Sequence, residues 1–78
     1  MTTGLTEVLD SKQLGALLKN QRKQMGVTQR QAADLCNVGP RFIGELEKGK
    51  PTVELAKALQ VLQGYGLRLT VGPRGMRQ

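Results

Sequence analysis

The side chains with chemistry to offer are gathered between Thr28 and Lys50. Thr28, Gln29, Arg30 and Gln31 head one short segment; Gly39, Pro40, Arg41, Gly44 and Glu45 run along a second; Lys48 and Lys50 follow it. These groups are cations and hydrogen-bond donors rather than nucleophile–base pairs. Their chemistry is recognition. A guanidinium fork such as that of Arg41 matches a phosphate, or the two acceptors on one edge of a guanine. The start of a helix headed by Gln29 is itself an anion site, because its first amides lack intrahelical partners and carry the positive end of the helix dipole.

What is missing narrows the field. The 78 residues include no histidine and a single cysteine, Cys36. A zinc site built on several Cys and His ligands is excluded, as are histidine-based triads and general bases. No metal, no cofactor and no enzymatic activity are expected. Cys36 is expected to pack as a small hydrophobe. Twelve Lys and Arg stand against six Asp and Glu, a net charge of +6, which points to a polyanionic partner. No apolar run approaches the roughly 18 residues of a membrane span, so no membrane association is expected. Residues 1–10 have neither a basic n-region nor an apolar h-region, so no secretory signal is expected, and a lone thiol suits a cytosolic chain. A chain this short has a marginal core with no disulfide, which favours a partner chain as stabiliser.

The elements that must hold these residues are legible from caps and periodicity. Residues 1–10 form an N-terminal arm, and Asp10 or Ser11 caps a first helix running to about Met25 with Leu14, Leu17 and Leu18 at helical spacing. Thr28 caps a second, with Ala32, Ala33, Leu35 and Cys36 as its apolar face, ending near Asn37, a residue that tolerates the left-handed conformation. Gly39-Pro40 opens a third, carrying Phe42, Ile43 and Leu46 and stopping at Gly49. Thr52 caps a fourth, with Leu55, Ala58, Leu59 and Leu62 on one stripe. Gly64-Tyr65-Gly66 is read as a turn. The period then changes: Leu67-Arg68-Leu69-Thr70-Val71 alternates as a strand does. A single strand cannot stand alone, so the simplest partner is the same strand of a second copy across a two-fold axis. Residues 72–78 read as a flexible basic tail.

Thr28 to Gly49 has the spacing of two short helices crossing steeply about a tight turn. Ala33 is the small residue at the crossing, Asn37 the turn residue and Val38 the plug. Ile43 and Leu46 anchor the second helix, leaving its other side outward. Here the sequence resembles the helix-turn-helix domain of the phage repressor, or XRE, family. The shared residues are Thr28-Gln29, Ala33, Val38, Ile43 and Leu46-Glu47-Lys48-Gly49-Lys50, over about residues 12–63; Asn37 departs from the usual glycine. Within that family, the run Gly39 to Thr52 and the ending Leu59-Gln60-Val61-Leu62 before the strand look most like the HipB-type antitoxins.

The expected fold is therefore an all-α, lambda-repressor-like domain. Four helices occupy residues 11–63, and residues 64–71 form a turn and a short C-terminal β-strand that pairs across a homodimer through Leu67, Arg68, Leu69, Thr70 and Val71. In such a motif the second helix enters the major groove N-terminal end first. That places Arg41 as base reader, with Pro40, Gly39, Glu45 and Gly44 beside it; Phe42 is open between core and DNA contact. The resemblance implies that Gln29 and the amides around it hold a phosphate. Thr28, Arg30, Gln31, Lys48 and Lys50 are further phosphate candidates, as are Lys12, Lys19 and Lys23. It also implies a salt bridge from Arg22 to Glu47, binding to a palindromic double-stranded operator, and a HipA-like serine/threonine kinase toxin as partner, with the operon autorepressed. The expected location is cytoplasmic and nucleoid-associated. The other reading is a stand-alone phage-type transcriptional regulator with no toxin; a non-DNA interaction module with a basic helical face is a third.

Overall fold

A computed structural model describes residues 5–73. Four helices follow in order: α1 (Ser11–Gln24), α2 (Gln29–Cys36), α3 (Pro40–Glu47) and α4 (Leu55–Gly64). Local chemistry sets most of the ends. The Asp10 carboxylate accepts from the Gln13 amide at 2.8 Å and caps α1. Thr28 and Gln31 form a reciprocal capping box: the hydroxyl accepts from the Gln31 amide at 3.1 Å, and the Gln31 side-chain oxygen from the Thr28 amide at 2.9 Å. Asn37 ends α2 in the left-handed conformation at φ 59°, where glycine is more usual. Gly39 leads extended into Pro40 at the first position of α3, where a missing N–H costs nothing.

The core lies between the helices. Leu18, Ile43 and Val61 are wholly buried, with Ala32, Ala33, Cys36, Leu46, Ala58, Leu62 and Tyr65 around them. Each large apolar side chain so removed from water contributes about 1.5–3 kcal/mol. Phe42 and Val38 are half-buried against this cluster, so Phe42 belongs to the core side of α3. Two glycines permit close crossings. A Cβ on Gly15 would lie 2.5 Å from the Leu46 carbonyl oxygen, so α1 runs directly over the end of α3. A Cβ on Gly64 would lie 2.5 Å from the Cys36 sulfur, so α4 closes against α2. The Gln60 side-chain amide donates to the carbonyls of Cys36 at 3.0 Å and Asn37 at 3.3 Å, tying α4 to the turn between α2 and α3.

Three details differ from the sequence reading. The N-cap position of helix α4 is Glu54 rather than Thr52, and its side chain makes no capping hydrogen bond. Thr52 lies in a turn that continues past Pro51, where the Val53 amide donates to the Lys50 carbonyl at 3.4 Å. Leu35 and Leu55 are exposed rather than core, while Val61 takes the buried place on α4. Tyr65, in the segment read only as a turn, is buried. No strand forms among the described residues: 67–71 leave α4 without regular structure, since a single chain offers them no second edge. Residues 1–4 of the N-terminal arm and 74–78 of the basic tail lie outside the described residues.

Candidate nucleic-acid interface

Helix α3 is fixed from one side and open on the other. Ile43 and Leu46 anchor it in the core. Below them Glu47 is held by a buried ion pair: the Arg22 Nε donates to one carboxylate oxygen at 2.6 Å and a terminal nitrogen to the other at 3.1 Å. The remaining Arg22 terminal nitrogen donates to the Val27 carbonyl at 2.9 Å. The Glu47 side chain is 3% exposed. Burial alone would raise its pKa, but the hydrogen bonds from Arg22 and Gln29 and the charges of Arg22 and Lys19 outweigh it and hold the carboxyl below its ordinary range. The same hydrogen bond to Glu47 raises the Arg22 pKa against burial. The salt bridge implied by the family resemblance is thus present and ties α1 to the end of α3.

The opposite side of α3 carries the expected readers. Gly39, Pro40 and Arg41 are exposed, and Gly44 and Glu45 are half-exposed on the following turn. The Arg41 side chain is 90% exposed, with its Nε 3.3 Å from Glu45 Oε2. The Lys50 ammonium reaches the same oxygen at 3.3 Å. The hydrogen bond from Lys50, and the charges of Lys50 and Arg41, lower the Glu45 pKa. Lys48 is exposed just beyond.

The start of α2 stands beside this face. The Gln29 side-chain oxygen lies 3.8 Å from where a Gly44 Cβ would be, and its amide donates to Glu47 at 3.1 Å. Thr28, Gln29, Arg30 and Gln31 are all exposed. The Thr28 and Gln31 side chains are engaged in the capping box, so the donors this end offers a phosphate are chiefly the first amides of the helix and the Arg30 side chain. The fold therefore brings the α2 start, the outer side of α3 and Lys48–Lys50 onto one surface. The dimerisation candidates 67–71 lie elsewhere, around a hollow of about 970 Å³ that also touches Leu9, Leu17, Leu55 and Leu62.

Four links were missed by the sequence reading. The Glu45 contacts to Arg41 and Lys50 follow from (i, i+4) and (i, i+5) spacing, a signal that spacing alone offers for the first pair. The Gln29–Glu47 and Gln60–turn bonds join residues 18 to 24 apart and have no local signature. Among the described residues no group of Cys, Asp and Glu is placed to hold a metal ion, and no helix is long and apolar enough to cross a membrane.

Comparison with known proteins agrees with this geometry. A family model described as a helix-turn-helix domain matches residues 13–71. An uncharacterized HTH-type transcriptional regulator of Sinorhizobium fredii is 42% identical over 65 residues, covering 83% of this chain and 86% of that protein. Among solved structures, HipB in a complex with an O4 20mer superposes with a TM-score of 0.81 at 23% identity, over 90% of this chain and 99% of that one. A HipA-HipB-O2-O3 complex gives a TM-score of 0.82 at 23% identity over the same shares. At that identity the likeness establishes the four-helix fold.

Proposed function

The chain belongs to the helix-turn-helix family of DNA-binding transcriptional regulators, and on that premise we propose that it is a sequence-specific repressor acting as a homodimer on a palindromic operator. The observation that carries this is the division of α3: its inner side is locked by Ile43, Leu46 and the Arg22–Glu47 pair, while Arg41 stands almost free on its outer side. A rigid helix with one exposed arginine at its leading end is what major-groove readout requires. Arg41 takes a guanine, Pro40 and Gly39 let the backbone approach, and the α2 start, with Gln29 and Arg30, and Lys48 and Lys50 meet phosphates on either side.

Dimerisation is supported by where the exposed apolar side chains fall. Leu5, Val8, Leu9, Leu55, Leu69 and Val71 are all exposed and all line the one hollow beside residues 67–73. Such a contiguous apolar surface marks an interaction site. A second copy would cover it and supply the missing edge for 67–71, setting two reading helices about 34 Å apart.

The neighbours support a partner for this chain. HipB is seen in complex with HipA, and this chain shares its fold over nearly its whole length, so the reading extends to an antitoxin that holds a HipA-like kinase and represses its own operon in the cytoplasm, on the nucleoid. The second reading is a stand-alone regulator, in line with the S. fredii relative's description as an HTH-type transcriptional regulator. A gel shift on the DNA upstream of the gene, against a scrambled duplex, tests the repressor. Co-purification with the product of any neighbouring kinase-like reading frame separates antitoxin from stand-alone regulator. Specific retardation with a co-purifying kinase supports the first reading, specific retardation without one supports the second, and equal binding to both duplexes overturns both.

A further inference from the structure

The geometry points to Glu45 as the residue that sets specificity at this interface, by holding Arg41 through its Nε and neutralising Arg41 and Lys50 until a matching base edge replaces bulk phosphate; this rests on the DNA-reading role proposed above. Arg22 and Arg41 show the contrast. Arg22 spends all three of its nitrogens inside the protein, on Glu47 and on the Val27 carbonyl. Arg41 bonds through Nε alone, to Glu45 Oε2 at 3.3 Å, and its side chain is otherwise open to solvent. With Nε tied back, the pair of terminal nitrogens is the edge left to a ligand. That edge matches the two acceptors of guanine, O6 and N7. A phosphate can take the same edge, so discrimination against it must come from the charge of the carboxylate beside the guanidinium.

The second part concerns charge. Arg41 and Lys50 both meet the same Glu45 oxygen at 3.3 Å. A carboxylate at that position repels the sugar–phosphate backbone of a duplex that offers no base contact in return. Sequence-independent affinity grows with each phosphate neutralised. Glu45 therefore lowers binding to every duplex, and a guanine recovers the loss through Arg41. Glu45 acts on the bases through another side chain and is a positioning residue.

The test is a double-mutant cycle with the full chain, using Glu45→Gln, Arg41→Ala and the double variant, titrated by fluorescence anisotropy on the upstream duplex and on a scrambled duplex across a salt series. In Glu45→Gln, affinity for the scrambled duplex rises roughly two- to fivefold, the size of a surface ion pair. Its log–log salt slope steepens by about 0.9 for each freed cation that meets a phosphate. The ratio of specific to non-specific affinity falls, and melting stays as in the wild type. In the Arg41→Ala background Glu45→Gln no longer changes that ratio. Two results overturn the proposal alone: an unchanged ratio in Glu45→Gln, or the same change with and without Arg41, which would make Glu45 a direct base contact. A wild type that never prefers the upstream duplex overturns the DNA-reading role, and this inference with it.

Discussion

Helix α3 carries two carboxylates two residues apart, and each meets an arginine, yet the two pairs do opposite work. Glu47 is buried, chelated by Arg22 at 2.6 and 3.1 Å and hydrogen-bonded by Gln29. Glu45 is partly exposed and touches an almost wholly exposed Arg41 at 3.3 Å. The difference is one of helix phase. Two residues along an α-helix turn the side chain by about 200°, from the core side to the outer side. Burial raises the cost of breaking the inner pair, since each ion would be left without its partner in a poor solvent. Water and salt make the outer pair weak and exchangeable, which suits a surface that must trade one partner for another.

The strongest way to break that contrast is at the inner pair. Glu47→Ala leaves Arg22 buried and unpaired and is expected to destabilise the fold by about 3–5 kcal/mol, read from urea denaturation. In a chain of 78 residues that is a large share of the available stability, and DNA binding falls with the folded fraction. A smaller effect is expected at the crossing of α1 and α3. Gly15→Ala places a methyl 2.5 Å from the Leu46 carbonyl oxygen, and the required shift costs about 1–3 kcal/mol, seen as a lowered urea midpoint.

Titration sharpens the comparison. The folded Glu47 carboxyl ionises below the ordinary carboxylate range. Its contribution is present above the unfolded pKa and is lost as pH falls through the folded one, so acid weakens the inner pair at the bottom of the carboxylate range. At the other end, burial pushes the Tyr65 phenol up to about 12 from 10.0. The unfolded chain then releases that proton before the folded one, and stability falls as pH rises between those values. Thermal melting across pH 2–5 and pH 9–12 reads both limbs.

The smallest effect on stability is expected on the outer side. Arg41→Ala and Glu45→Gln should each change unfolding free energy by less than about 1 kcal/mol. Their consequences belong to binding.

Sequence and structure part company along the same line. The ends of α1, α2 and α3 were readable because Asp10, Thr28, Asn37 and the Gly39-Pro40 pair act within a few residues of themselves. Ala33, Ile43 and Leu46 were readable as core because the motif's spacing constrains them. Thr52 misled as a cap because the chain needed two more residues of turn after Pro51 before α4 could begin. Leu35 and Leu55 misled because an apolar side chain on a short helix shows no preference between a core and an exposed flank until the neighbouring helices are placed. Tyr65 was hidden between glycines that read as a turn; its place in the core depends on residues from the other helices, which is non-local. Within the interface, residue types were legible and side-chain engagement was not. Gln29 reaches Glu47 only because α2 and α3 cross, a contact that no pattern in the sequence records.

The central claim, that the outer side of α3 reads DNA while its inner side holds the fold, is tested most directly by Arg41→Ala. Titrate it and the wild type on the upstream and scrambled duplexes, with a thermal melt of each protein alongside. The account predicts unchanged melting, little change on the scrambled duplex, and a loss of about 5- to 150-fold on the upstream duplex, the worth of one bidentate base contact. A variant that melts normally and keeps the full wild-type preference for the upstream duplex would contradict it.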